Sequence, residues 1–204
     1  MSATGVSVLD DPRWTAFNRT GFACSCSDTH IGLVPINMLI PLGWTGPTDY
    51  QPDEALTLDG DFLSTHYCVS EGRSFALRVR LPLQMRGAAP AAFVYSAWAT
   101  VSRADFEAYV AAKNAGTLDE TRYVIARLGN RLAGHHDTSN LMGAAFEQAD
   151  GGAPVMLLVG PQPYTNRPDH PLIAEQRDGI DLDRALELLA AFGHDMRAAT
   201  LKAA

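Results

Sequence analysis

The 204-residue sequence is poor in cysteine and charge, and it has no apolar run long enough to cross a bilayer. Three cysteines, an odd number, do not make the paired framework of a small secreted scaffold, so reduced thiols are expected. Only 19% of residues are charged, and acidic ones outnumber basic ones, 23 against 16, for a net charge of −7. Phosphate neutralisation needs clustered Lys and Arg, so nucleic acid is not an expected partner. The longest apolar stretch, Ile31 to Trp44, is too short for a span and is interrupted by Pro35 and Pro41. It has no basic face, so no membrane association is expected, and it reads as a buried irregular segment. Residues 1–12 hold neither a basic stretch nor a continuous apolar one, and the expected location is cytoplasmic. The phosphate-binding patterns G-x-G-x-x-G and G-x-x-x-x-G-K-[ST] and the serine-hydrolase elbow G-x-S-x-G are absent.

What remains is an ordinary globular composition, 47% hydrophobic, with a length that suits one domain. Residues 1–20 read as a loosely attached arm anchored by Trp14 and Phe17, residues 21–193 as a single α+β domain, and 194–204 as a C-terminal tail. In SFALRVRL, Phe75, Leu77, Val79 and Leu81 alternate with Ala76, Arg78 and Arg80, which predicts a half-buried strand with both arginines outward. Pro82 and the Gly87–Pro90 stretch read as a turn before a central strand, AAFVYSAWATV. Ser102-x-x-Asp105 is a capping-box variant opening a helix that Gly116 ends. TRYVIARL, 121–128, fits strand or helix. NLMGAAFEQ and PVMLLVG flank Ala149-Asp150-Gly151-Gly152, a hairpin signal. Asp169-His170-Pro171 starts a short helix, and a second helix runs from Asp181 to Gly193. Strands arranged as hairpins and followed by helices predict an α+β fold: an antiparallel sheet built from hairpins, helices packed on one face, and a short Cys/His segment at the N-terminal end.

Several segments together carry a resemblance: FACSCSDTHIGLVP at 22–35, YCVSEGRSFALRVRL at 67–81, YSAWATVSRADFEAY at 95–109, LGNRLAGHHDTSNL at 128–141 and DHPLIAEQRDGIDLDRALEL at 169–188. Their order and content resemble the bacterial family catalogued as domain of unknown function family 2199. The closing segment, with His170-Pro171-Leu172, Gln176, Gly179 and Ile180, is the most specific. The resemblance implies a small bacterial cytosolic protein with an opening Cys/His segment, and it implies no activity. That opening typically reads Cys-x-x-Cys-Gly with a His shortly after. Here it is Cys24-Ser25-Cys26-Ser27-Asp28-Thr29-His30, one residue shorter, with Ser27 at the expected glycine.

Cys24, Cys26 and His30 supply three soft or borderline donors within seven residues, and zinc takes four in a tetrahedron. Cys68, at the start of the first clear strand, is the candidate fourth; a Cys also precedes this strand in the family pattern. The alternative is that Cys68 is a buried small hydrophobe and the other two are ordinary thiols. His135-His136-Asp137 reads as an exposed loop whose Asp137 and Thr138 bond the backbone, with a metal or acid–base cluster as its alternative. Asn130, Arg131, Asp137, Thr138 and Asn140 read as a loop satisfying its own backbone, or else as a cleft lining. The expected function is a non-enzymatic binding or interaction module stabilised by zinc, whose acidic charge favours a basic protein partner. The alternative is a small metal- or thiol-dependent enzyme using Cys24, Cys26, His30 and Cys68.

Overall fold

Alternation organises the centre of the chain. Phe75, Leu77, Val79, Leu81 and Leu83 all point inward and are almost wholly buried, and they form one side of a long strand. In chain order the elements of the computed structural model, which describes residues 7–159 and 170–200, are as follows. Helix α1 (Pro12–Arg19) precedes short strands β1 (Phe22–Ala23), β2 (Thr29–His30), β3 (Ile36–Asn37), β4 (Phe62–Leu63) and β5 (Tyr67–Ser70). Then come β6 (Ser74–Gln84), β7 (Ala92–Val101), α2 (Arg103–Ala115), β8 (Tyr123–Leu128), β9 (Met142–Phe146) and β10 (Val155–Leu158). Helices α3 (Pro171–Asp178), α4 (Leu182–Ala191) and α5 (Arg197–Thr200) close the chain. Residues 1–6 of the expected arm, Gly160, Asp169 and residues 201–204 of the expected tail lie outside the described residues.

The mixed helix-and-strand content fits α+β, but the sheet is not open. Strands β6 to β10 each pair antiparallel with the next, and β10 then pairs with β6 to close a five-stranded barrel. The parity of a meander dictates the closing pair: after five alternating strands the first and last point the same way, so the closure is parallel. The expectation of helices on one face of a hairpin sheet gives way to a barrel with an inside and an outside. Antiparallel β5 and β4 extend from the first half of β6, and β3 joins β7 in parallel.

The main core combines the barrel interior with Phe106 and Tyr109 of α2 and Leu182, Leu186 and Leu189 of α4. Ser102 caps α2 through the Asp105 amide, Gly116 ends it at φ 64°, and Asp181 caps α4 through the Arg184 amide, as their sequence signals predict. The ambiguous 121–128 stretch is strand β8, with Val124, Ala126 and Leu128 inside. Val8 and Phe17 are buried in the main core, so residues 7–20 are integrated with it.

Two expectations fail for one reason, which is that the outer face of β5–β7 is covered. Trp44, Leu63, Cys68, Ala76 and Trp98 form a second apolar cluster there. Arg78 is therefore 8% exposed while Arg80 stays outward, and Cys68 points into this second cluster. The covering segment is the Ile31–Trp44 stretch, of which Ile36 and Trp44 are buried but Ile31, Leu39 and Leu42 are more than half exposed. Pro82 does not end β6 either. The Arg80 amide donates to Pro154 O at 2.8 Å, and the next amide on that edge would belong to residue 82, where no strand partner follows. No helix among the described residues is long and apolar enough to cross a membrane.

Candidate metal centre

Strands β1 and β2 form a tight hairpin, with Phe22 opposite His30 and Ala23 opposite Thr29. Phe22 anchors it by stacking on Phe17 of α1, with ring centroids 5.8 Å apart. The five-residue connection is closed by the Cys24 amide donating to Asp28 O at 2.8 Å and the Ser27 amide to Cys24 O at 3.0 Å. Ser27 has φ 75°, the left-handed conformation that glycine adopts freely and that a serine rarely takes. The turn brings Cys24, Cys26 and His30 to one side of the hairpin.

The fourth donor comes from the other end of the chain. Helix α4 ends in a Schellman turn: Gly193, at φ 87°, donates to Ala190 O at 3.0 Å, and the His194 amide donates to Leu189 O at 2.9 Å. This turn sets His194 against the hairpin. Ser25 then clamps the two segments together: its hydroxyl donates to Gly193 O and accepts from the Asp195 amide, both at 3.1 Å, and its own amide donates to Asp195 O at 3.0 Å. The spacer of Cys-x-Cys thus brackets His194 on both sides.

The donor atoms of Cys24, Cys26, His30 and His194 all lie within 4.8 Å of one another. His30 Nε2 is 3.2 Å from His194 Nδ1, Cys26 Sγ is 3.1 Å from His30 Nε2, and Cys24 Sγ is 3.9 Å from His194 Nδ1. Tetrahedral zinc with its usual bond lengths puts two nitrogens about 3.3 Å apart, sulfur and nitrogen about 3.6 Å, and two sulfurs about 3.8 Å. The four donors therefore lie within metal-binding distance of one another and offer a mixed S/N set. Among the described residues they form the one His/Cys/Asp/Glu group with such spacing. The Cys26 thiol is held above its ordinary range: the Asp28 backbone hydrogen bond lowers it, but Cys24 contact, slight desolvation and the Cys24 and Asp28 charges together outweigh that. A divalent cation would reverse this balance.

Cys68 is not part of the group, and His194 takes the place expected for it. Cys68 pairs with Leu63 and Ala76 on the outer face of the sheet, whereas Cys24 packs against the main core on the inner side. Burial foremost, reinforced by the Asp61 charge, pushes the Cys68 thiol up to about 12, which disfavours the thiolate a metal needs. No local sequence signal marks His194 as a ligand; it simply follows the helix-ending Gly193.

The other polar candidates resolve differently. Thr138 and Asn130 satisfy the backbone, through Leu132 N, Asn130 O, Trp98 N and Ile40 O. His170 caps α3 by accepting the Leu172 amide. His135 is not an exposed loop residue, since its side chain is fully buried on Glu175.

Residues 23–180 match the family described as uncharacterised proteins conserved in bacteria, DUF2199. That span covers well over half of the chain. The chain belongs to the DUF2199 family. No curated protein and no solved structure matches it. Within the DUF2199 span lie Cys24, Cys26 and His30; helix α4 and His194 lie beyond it.

Proposed function

We propose that this DUF2199 chain is a zinc-stabilised binding module, with Cys24, Cys26, His30 and His194 as the ligands. One observation carries the reading: four donors from opposite ends of the sequence meet within 4.8 Å of one another, two thiols and two imidazoles as zinc takes. Four protein ligands leave no position open for a substrate, so the zinc acts structurally, fixing the N-terminal hairpin on the end of α4. This favours the module over the enzyme built on Cys24, Cys26, His30 and Cys68, because Cys68 lies in a separate cluster. The net charge of −7 favours a basic surface on a protein partner.

The test is metal content by mass spectrometry on protein purified without a His tag. The expected result is close to one zinc per chain in the parent and in Cys68→Ser, and a loss of most of it in Cys26→Ser and His194→Ala. Chelation is expected to lower the thermal midpoint of the parent and of Cys68→Ser but not of the two ligand variants. A metal-free parent that folds and melts like its chelated form would sink the proposal.

A further inference from the structure

An antiparallel sheet that packs one side on a core is normally polar on the other. The outer face of β8–β10 is not. Val124, Ala126, Ala145 and Met156 belong to the barrel interior, so their neighbours along each strand point outward. The strand registers align those outward residues in three rows. Tyr123, Phe146 and Val155 form the first row, and Ile125, Ala144 and Leu157 the second. In the third, Arg127 pairs with Met142, and the Val159 amide donates to Met142 O at 3.0 Å. Arg127 apart, every one of these positions is apolar. Tyr123 and Phe146 touch, with ring centroids 5.5 Å apart. Tyr123, Ile125, Leu157 and Val159 are between 41% and 57% exposed, an apolar concentration of the kind that marks an interaction site.

The two ends of this face carry opposite charge. Before the first row, the turn leading into β8 holds Asp119 and Glu120, and the turn between β9 and β10 holds Asp150. Arg122 at that end is matched by the buried Glu147 at 4.0 Å, so the three exposed carboxylates are in surplus. At the other end Arg127 has no acidic partner among the described residues and donates to Asn140 O at 3.5 Å. Beyond it, Arg131 and Asp137 face each other at 3.7 Å and cancel. A face with a cation at one end and surplus anions at the other is complementary to itself when reversed.

We propose that this face binds a second copy of the chain, sheet on sheet, with the strands of the two copies antiparallel across the interface. The two-fold axis then runs along the second row, and Ile125, Ala144 and Leu157 each meet their own counterpart. Arg127 of each copy lies over Tyr123 of the other, cation on ring, with Glu120 just beyond. An axis along the strands would instead set β8 on β10 and press Arg127 against Val159, an unpaired cation on an apolar side chain. Charge therefore selects the first arrangement. It also selects the occupant: a basic partner is repelled at the Arg127 end and an acidic one at the Glu120 end, whereas a reversed copy satisfies both. The three rows present on the order of 400 Å², against about 800 Å² from each partner in a standard interface. The end turns supply part of the remainder, so the dimer is reversible, with a dissociation constant on the order of 10 μM.

The measurement is sedimentation equilibrium of the full chain from about 1 to 500 μM, in reducing buffer so that the exposed Cys26 cannot cross-link copies. The parent is expected to pass from monomer to dimer across that range. Ile125→Lys and Leu157→Lys each set two like charges face to face at the axis and are expected to weaken the dimer at least ten-fold. Both side chains are exposed, so the far-ultraviolet spectrum is expected to stay that of the parent. Leu39→Lys, at an exposed apolar residue elsewhere, is expected to leave association unchanged. Arg127→Glu is expected to weaken the dimer about five-fold, and Glu120→Arg added to it to bring the constant back to within about two-fold of the parent. A parent that is monomeric throughout overturns the proposal, and so does a dimer indifferent to Ile125→Lys, which uses another face. No recovery in the charge-swapped double variant overturns the antiparallel arrangement.

Discussion

At the scale of single residues, Arg78 shows how a covering segment turns a surface cation into a core one. Among the described residues its guanidinium has no acidic partner. It donates to Thr65 O at 3.2 Å, to Met38 O and to the Tyr50 hydroxyl at 2.7 Å, and it stacks 4.2 Å over Trp98. Desolvation pulls its pKa down, but hydrogen bonding to Tyr50 limits the loss. Lysine keeps the charge without the planar fork or the stacking face. Arg78→Lys is expected to cost about 2 kcal/mol, read as a lower urea midpoint at unchanged slope; an unmoved midpoint would show that the fork contributes nothing. Glu175 gives a pH signature at the same scale. Its folded pKa lies below the ordinary carboxylate value, so its contribution is complete above about pH 4.3 and fades as pH falls through the lowered value. In Glu175→Gln the fall in stability on acidification is expected to be shallower than in the parent, as followed by thermal melts from pH 6 to 3.

At the scale of elements, the hairpin β1–β2 and the turn after α4 are each unremarkable, and their junction makes the site. Ser25 holds it with two side-chain hydrogen bonds to residues flanking His194. Groups that orient metal ligands tune affinity by about ten- to a hundred-fold. Ser25→Ala is therefore expected to weaken zinc binding by about ten-fold in competition with a chelating dye, while the folded far-ultraviolet spectrum stays intact. The elements themselves were largely legible in the sequence. Alternation at Phe75–Leu81, the Ser102 and Asp181 caps, and the Asp150–Gly152 turn each report local physics, and local physics is what a sequence states directly. Three of the four donors were legible for the same reason, lying within seven consecutive residues. His194 was not, because its neighbours in space are 164 and 170 residues away and only the docking of α4 brings them close. Cys68 misled because a strand position fixes a face but not which cluster covers that face.

At the scale of the whole molecule, the barrel depends on a thin seam. Strands β10 and β6 share a single register pair, Val155 with Arg80. Beyond it the side-chain amide of Gln176, from α3, stands in for a missing rung: Nε2 donates to Met156 O at 2.9 Å and Pro82 O at 3.3 Å, and Oε1 accepts the Leu158 amide at 2.7 Å. Further along the same edge, Ile180 pairs with Gln84 and Arg86 through its own backbone. The β6 edge is thus satisfied in turn by β5, β10, a glutamine side chain and an interhelical residue. That continuity could not be read from periodicity, because no strand supplies it. Gln176→Ala strands three backbone groups at once and is expected to cost about 3 kcal/mol, with the Leu158 amide losing hydrogen-exchange protection before the rest of β10. Retained protection at Leu158 would show that the seam closes without the glutamine.

The spacing of Cys24 and His194 has a mechanical consequence. With a cation on the four donors, the 169 residues between those two ligands become a closed ring. A pull applied to the two ends of the chain would travel from α1 into the hairpin, across the metal and out through the turn after α4. The barrel would hang beside that load path and carry none of the tension until a metal–ligand bond ruptured.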